Sequence, residues 1–487
     1  MTDKITMIEL FSGIGAQERA MRQLGIPYEV THTCDCDKDA VLSYAAMRND
    51  FANKLYYYEF PSQAQMIAEL QAKNVGYDFQ KSKHTITSRT PIHKLKEYYL
   101  ADKLSKNLGD ISKVERLPYA DLVTYSYPCT DLSVAGKGEG MVNKCNRCGH
   151  TWPINFEKPE FNNVCFNCGN IDINSTRSGL LGQVQRLLTV SYKEHTLPKY
   201  LLLENVKNLV GKKFKPQFDA WVNWLDLIGY NTYYQILNAK HYGIPQNRER
   251  IFAVSIRKDV DNGMFTFSEK IPLTTRLKDV LEKDVDEKYY LPDERIEKIL
   301  NSTFMQEKKR IQMTDVCDTL LARDWKDPKC VPIVYDDYNS RISSDQDTVN
   351  TLTGNCGASA ERNGVKIIEP IVCEERRDEG IRLFKDDCVG TLRTIDSCGD
   401  KRVLEPKTTE PPSVKWKIRK LTTCESWRLM GFSDGDHNKA AKYVSHSALY
   451  KQAGNSICTC CLIGIFNSLF NGDHSGQYKQ YLVNFES

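Results

Sequence analysis

No run of about eighteen apolar residues occurs in the 487-residue chain, so no membrane-spanning helix is expected. The N-terminus, Met1-Thr2-Asp3-Lys4, enters a strand-like run directly and lacks the pattern of a signal peptide. No GxxxxGK[ST] segment is present, which argues against a nucleoside triphosphate held on a P-loop. Charge of one sign is scarce as well: 66 Lys and Arg face 63 Asp and Glu, a formal net charge of +3. That balance neither demands nor excludes nucleic acid, because a basic face is easily hidden in a balanced total. Cysteine is plentiful. Seventeen of them, an odd number, with no secretory signal, point to a reducing compartment. The 41% hydrophobic and 26% charged content is that of a soluble globular protein long enough for several domains.

Short apolar runs alternate with helical spacing through the first half. Strands are expected at Ile5 to Phe11, Tyr28 to Cys34, Asp121 to Tyr127, Tyr200 to Leu203, Thr232 to Leu237 and Ile251 to Ile256. Helices are expected at Ala16 to Leu24 and Gly179 to Tyr192. This alternation implies an α/β fold with a doubly wound, mostly parallel sheet. Asp50 to Lys106 reads as a polar, helical elaboration. Two segments break the rhythm: a cysteine-bearing insert at about 142–174, and a charged, turn-rich region from about Asp259 to Pro412. In the latter, Thr319-Leu320-Leu321, Thr351-Leu352-Thr353 and Thr391-Leu392-Arg393 each precede a polar turn. The apolar runs Val331 to Val334, Val365 to Pro370 and Arg402 to Pro406 follow, so each unit resembles a β-hairpin.

In an open α/β sheet, functional groups gather at the carboxyl ends of the strands. Ser126-Tyr127-Pro128-Cys129 closes one strand, with the glycine-bearing Ala135-Gly136-Lys137-Gly138 after it, so Cys129 is a candidate nucleophile. Phe11-Ser12-Gly13-Ile14-Gly15 follows the first strand, where glycines permit a tight turn and close approach of a ligand. Asp35 and Asp37 end the second strand, where an acid commonly takes ribose hydroxyls. Gly109-Asp110-Ile111 is placed to meet a purine base, and together these features describe an adenosine-containing cofactor. Leu203-Glu204-Asn205-Val206 brings a carboxyl group to the same edge, where burial would equip it to protonate a ring nitrogen. In Gln246-Asn247-Arg248-Glu249-Arg250, two arginines at alternate positions share one face of an extended chain.

In this order the blocks resemble the DNA (cytosine-5) methyltransferase family. Phe11 to Gly15 is similar to its cofactor motif, Tyr127-Pro128-Cys129 to its Pro-Cys motif, and Glu204-Asn205-Val206 to its Glu-Asn-Val motif. Gln246 to Arg250 resembles its Gln-x-Arg-x-Arg motif. Arg419-Lys420-Leu421-Thr422 with Gly431-Phe432, and Gln452-Ala453-Gly454-Asn455-Ser456, resemble the ninth and tenth blocks. The resemblance implies that Cys129 adds to C6 of a flipped-out cytosine and that Glu204 hydrogen-bonds N3 and the exocyclic amine. Arg250 then holds O2, with Arg248 nearer the backbone. It further implies S-adenosylmethionine against Phe11, Gly13, Gly15, Asp35, Cys36, Asp110, Ile111, Pro128, Leu180, Asn455 and Ser456. Thr130 departs from the usual glutamine after the nucleophile, and Cys36 stands where an aromatic residue often stacks on adenine.

The insert carries Cys145-Asn146-Arg147-Cys148 and Cys165-Phe166-Asn167-Cys168, each pair followed by glycine, a pattern that reads as a four-cysteine structural zinc ribbon. Lys144, Arg147 and Trp152 are its candidate DNA contacts. The expected division is a catalytic domain over 1–258, a target recognition domain over 259–413 and a returning segment over 414–487. Arg323, Lys326, Lys329, Arg362, Arg393, Lys401 and Arg402 are candidate contacts in the recognition region. The expected activity is methylation of cytosine C5 in a specific double-stranded DNA sequence by a cytoplasmic monomer of a prokaryotic or phage-infected cell. A cognate restriction endonuclease, without direct contact, or a phage role in masking DNA from host restriction would fit such an enzyme, but the sequence encodes neither. The alternatives are a transfer-RNA cytosine methyltransferase on the same scaffold and a non-catalytic, zinc-containing DNA-binding protein.

Overall fold

The computed structural model describes residues 4–48, 50–129, 131–132, 140–162, 164–171, 173–290, 292, 294 and 416–482, with the backbone of short strands between 316 and 406. Thr130, the glycine-bearing loop after Leu132, Arg323, Lys326, Lys329, Arg362 and Arg393 lie outside the described residues.

The chain opens with β1 (Ile5–Leu10), α1 (Ala16–Leu24), β2 (Tyr28–Cys34) and α2 (Lys38–Arg48). Three further helices, Phe51–Tyr57, Gln63–Ala72 and Ile92–Leu104, form the polar elaboration before β3 (Leu122–Tyr125). Then come α3 (Leu181–Lys193), β4 (Tyr200–Val206), α4 (Lys215–Leu227), β5 (Tyr230–Asn238) and β6 (Glu249–Arg257), with α5 (His446–Asn455) and α6 (Thr459–Asn471) near the C-terminus. Six strands form one sheet in the order β2-β1-β3-β4-β6-β5. The first four are parallel, and β6 runs antiparallel to both of its neighbours.

Strand alternation divides the core between the two faces of this sheet. Met7, Leu122, Leu202 and Phe252 point to one side, where they join Trp427, Leu462, Ile463 and Phe466. Ile8, Val123, Leu201, Leu203 and Ile251 point to the other, with Val184, Leu187, Leu188, Phe218 and Trp221. Residues of β3 are buried on both faces, which is why this strand reads as a continuous apolar run rather than an alternating one. Helix α6 is buried on nearly every side, as its all-round apolar sequence requires. Among the described residues no single helix is long and apolar enough to cross a membrane.

The region after Asp259 pairs differently from the expected hairpins. Val316–Leu320 lies parallel to Cys388–Leu392, so two of the repeated Thr-Leu segments pair with each other. Lys401–Pro406 pairs antiparallel with Val372–Arg376 and with Trp416–Lys420. Local spacing marks a strand, but its partner is set by contacts far along the chain, and those left no short-range signal. The runs at 331–334, 351–353 and 365–370 lie outside the described residues.

Candidate active site and cysteine cluster

The carboxyl ends of the parallel strands are level. Leu10 pairs with Cys34 on one side and with Tyr125 on the other, and Tyr125 pairs with Leu203. Phe11 to Gly15, Asp35 to Asp37, Tyr127 to Cys129 and Glu204 to Val206 therefore emerge along one edge. On β6 the chain enters antiparallel, so Arg250 pairs with Val206 and Phe252 with Glu204. This brings Arg250 Nε to 3.3 Å from Glu204 Oε1, with both side chains largely buried.

Several bonds fix the turn at Cys129. Asn205 Nδ2 donates to the Tyr127 carbonyl at 3.0 Å, joining the two motifs. Ser178 Oγ donates to the Pro128 carbonyl at 2.9 Å, and the Leu132 amide donates to the Cys129 carbonyl at 3.0 Å. Burial pushes the Cys129 thiol up, the positive charge of Arg250 pulls it back, and the carboxylate of Glu204 adds to the rise. Burial also raises the Glu204 carboxyl, opposed by Arg250 and Arg248. A raised carboxyl keeps a larger protonated fraction at neutral pH, as a proton donor needs.

Arg248, expected among the catalytic group, lies close enough for its charge to act on Glu204 and Cys129, but its guanidinium hydrogen-bonds the returning segment. It is buried, and Nη2 donates to the carbonyls of Gly454 at 3.2 Å and Ser456 at 2.7 Å. Its guanidinium thus joins β6 to the end of α5, and burial lowers its pKa to about 9.

The turn after β1 places Phe11 at φ 56°, Gly13 at φ 51° and Gly15 at φ 74°. A Cβ on Gly13 would meet nothing within 4 Å, so open space lies above that turn. Gly15 is the reverse: its Cβ would fall 2.3 Å from Arg48 Nη2 and 2.4 Å from the Tyr44 ring. Arg48 itself donates to the Ile14 and Gly15 carbonyls, at 2.9 and 2.6 Å. Gly15→Ala is therefore expected to cost about 2–4 kcal/mol, from the left-handed backbone and the overpacking together. Thermal melting checks this, and an unchanged midpoint would contradict it.

Asp35 accepts the Gly13 amide at 2.8 Å and the Asp37 amide at 2.8 Å, and burial raises its carboxyl to about 6. Asn107, which carries no sequence signal for this role, bonds both the amide and the carbonyl of Asp35 at 3.0 Å. Asp110 accepts from Asn74 and Ser112, and Ile111 beside it is buried. Cys36 is half-buried, and its carbonyl accepts the Gly76 amide. Leu180, half-buried, sits just ahead of α3. The returning segment closes this side, since Lys451 Nζ lies 2.6 Å from Asp37 and Gln452 bonds Ser43 and the Asp39 carbonyl. Asn455 is exposed at the end of α5, and Ser456 is buried.

The insert folds as three short strands, with Val142–Cys145 between Thr151–Pro153 and Ile173–Ser175. The Sγ atoms of Cys145, Cys148, Cys165 and Cys168 all lie within 4.8 Å of one another. Cys145 and Cys168 are 3.6 Å apart, as are Cys148 and Cys165. The Cys145 and Cys165 amides donate to the carbonyls of His150 and Asn170, closing a tight turn at each pair. Trp152 packs inside: it is 8% exposed, lies against the His150 ring and donates to the Phe161 carbonyl. Of the three residues expected to contact DNA here, only Lys144 and Arg147 are exposed.

A family model described as C-5 cytosine-specific DNA methylase matches residues 65–148 and 168–471, with its break inside the cysteine insert. The chain is 31% identical over 468 residues to the type II methyltransferase M2.ScrFI of Lactococcus lactis subsp. cremoris, across 96% of this chain and 99% of that relative. It is 31% identical over 507 residues to the orphan methyltransferase M.SPBetaI of Bacillus phage SPbeta, across 96% and 98%. Among solved structures, the S. pombe Dnmt2 methyltransferase is similar at 15% identity and a TM-score of 0.44, covering 96% of this chain and 100% of that one.

Proposed function

Because the chain belongs to the C-5 cytosine-specific DNA methylase family and is a DNA cytosine-5 methyltransferase, we propose that Cys129 is its nucleophile, Glu204 its proton donor and Arg250 its anchor for the target base. The observation that carries this reading is the meeting, at one sheet edge, of the Pro128-Cys129 turn and the buried Glu204–Arg250 pair.

Cytosine C5 is a poor nucleophile until C6 carries a sulfur. In this reading the Cys129 thiolate forms the S–C6 bond as the C5=C6 double bond breaks, and Glu204 delivers a proton to N3, so the displaced pair is held in a neutral enamine whose C5 is nucleophilic. Arg250 donates to O2 and withdraws further charge. After C5 is alkylated, its proton leaves to water as the S–C6 bond breaks, which restores the C5=C6 bond and the thiolate, and N3 returns its proton to Glu204. The base must leave the duplex to reach this edge, at a cost of a few kcal/mol. Arg248 acts on the returning segment and is assigned to positioning.

The methyl donor expected for this family is S-adenosylmethionine, and the residues present fit it. The open space above Gly13 admits a ligand against the backbone, and Asp35 and Asp110 offer carboxylate acceptors for hydroxyl and amino groups. Phe11, Ile111 and Leu180 supply apolar surface. Bound there, the donor contributes the methyl carbon.

The four cysteines are proposed to hold a structural zinc ion. Tetrahedral sulfurs at a Zn–S bond of about 2.3 Å lie about 3.8 Å apart, and the paired sulfurs here lie at 3.6 Å. The purified chain is expected to hold about one zinc per molecule, and Cys165→Ser to lose it. Elemental analysis checks this, and a folded chain free of metal would contradict it. The proposed division is a catalytic lobe over 1–258 with the insert at 142–174, a recognition region over 259–413 and a returning segment over 414–487. The proposed substrate is a specific sequence in double-stranded DNA. Adduct formation on a 5-fluorocytosine duplex tests the whole reading, because fluorine at C5 blocks the final elimination and leaves an active nucleophile bound.

A further inference from the structure

The cysteine insert and the Pro128-Cys129 turn are built on one set of bonds. The insert leaves the catalytic lobe at Gly140-Met141 and returns at Thr176 to Ser178, and these two ends are tied together. The Val142 amide donates to Thr176 Oγ1 at 3.2 Å, the Thr176 amide to the Val142 carbonyl at 2.9 Å, and Thr176 Oγ1 to the Gly140 carbonyl at 2.8 Å. Above them the ladder continues through Asn143 with Ser175 to Cys145 with Ile173, so it ends at a metal-binding cysteine. Cys168 meets Cys145 and lies just before the returning strand, so the cluster closes the open end of the ladder.

Below them, the same two ends grip the nucleophile's turn. The Gly140 amide donates to the Asp131 carbonyl at 3.0 Å. The Ser178 amide donates to Asp131 Oδ2 at 3.0 Å, and the Asp131 amide donates to Ser178 Oγ at 3.3 Å. Ser178 is fully buried, and its hydroxyl proton goes to the Pro128 carbonyl. On the other side Tyr127 Oη donates to Met141 Sδ at 3.6 Å, with Gln217 and the Ile154 amide both on the Met141 carbonyl at 3.0 Å. The insert is rooted rather than tethered: Phe156 is buried against Trp221, and Gln185 donates to its carbonyl at 2.7 Å.

We propose that the metal-loaded insert is a clamp that holds the Pro128-Cys129 turn through Ser178, so that metal occupancy sets the rate of attack by Cys129 while leaving the methyl donor's site intact. The proposal rests on the zinc reading of the four cysteines. Of the donor's expected contacts, Pro128 and Leu180 adjoin the clamp; the others lie on the turns after β1 and β2, on the stretch at Asp110 and on the returning segment. Among the described residues the bonds that hold Asp35 and Asp37 run to Gly13, Asn107 and Lys451 rather than to the insert. Ser178 is a positioning residue: its hydroxyl bonds the Pro128 carbonyl and the Asp131 amide, and its own amide bonds the Asp131 carboxylate.

The test uses the full chain in four states: wild type and Ser178→Ala, each zinc-loaded and chelator-stripped. Metal content, S-adenosylmethionine affinity by calorimetry, and the single-turnover rate of adduct formation are measured for each. The DNA is a random-sequence duplex pool carrying 5-fluorocytosine in place of cytosine, which contains every possible target. The clamp predicts that Ser178→Ala keeps its zinc and its donor affinity but forms adduct about tenfold to a hundredfold more slowly, as a misplaced reacting atom does. Stripping the wild type is expected to give a loss of similar size. Stripping Ser178→Ala is expected to add little, because both changes act on one path. A zinc-loaded Ser178→Ala that attacks at the wild-type rate overturns the clamp and spares the zinc reading. So does a metal loss that slows both proteins by the same factor. A chain that neither holds nor takes up zinc overturns the zinc reading and the clamp with it.

Discussion

Cys129→Ala is expected to lower methyl transfer by about four orders of magnitude or more, the scale on which removal of a covalent nucleophile acts. Methyl transfer needs an electron-rich C5, and only the sulfur at C6 makes it so. Fold and donor affinity are expected to survive, because the turn's carbonyls are held by the Ser178 and Asn205 side chains and the Leu132 amide, bonds that alanine leaves in place. Most of the donor's proposed contacts lie on the turns after β1 and β2, at Asp110 and on the returning segment, away from the Cys129 side chain. Single-turnover transfer from labelled donor, beside a donor-binding isotherm, checks both halves. A variant that keeps activity within tenfold of wild type would remove Cys129 from the mechanism. The pH dependence has a definite sign. Burial raises the thiol and Arg250 lowers it, so the attacking thiolate grows as pH rises. Arg250→Ala removes the lowering charge and is expected to shift the rise in adduct formation to higher pH; a shift to lower pH would contradict the assignment.

Glu204→Gln is expected to slow transfer by about a hundredfold to ten-thousandfold, the range for a lost general acid. Glutamine keeps the shape, and its carbonyl still accepts from Arg250 and from the exocyclic amine. It has no proton to give to N3. Burial raises the Glu204 carboxyl in this site, so the wild type holds more of the protonated form than an exposed glutamate would. Because the isostere preserves the contacts on β4 and β6, melting temperature and donor affinity are expected to change little. Single-turnover rates decide it, and a loss of threefold or less would assign proton delivery elsewhere.

The parts of the molecule that a short window controls were legible in the sequence. Helix α1 runs over Ala16–Leu24 as its spacing requires, with Gly25 in the left-handed conformation closing it. β2 occupies Tyr28–Cys34, and β4 extends past the expected Leu203 to Val206, which carries Glu204 within the strand itself. The edge that gathers Cys129, Glu204 and the glycine turn follows from the parallel order of the strands. Contacts made across long separations were not legible. Asn107 holds Asp35 from 72 positions away, and Ser178 holds Pro128 from 50. Neither residue stands out in its own segment. The alternate position of Arg248 gave no sign that its guanidinium also bonds carbonyls more than 200 positions later. Trp152 looked like a surface contact because it sits in a polar and aromatic stretch, yet it packs with Cys145 and Cys165 in the insert's small buried cluster.

The most direct measurement is bisulfite sequencing of DNA from cells expressing this chain, beside cells expressing Cys129→Ala. The account predicts C5 methylation at one short recurring sequence with the intact chain and none with the variant. Soluble, zinc-loaded protein that leaves no cytosine methylated, or a Cys129→Ala variant that marks the same sequence, would contradict it.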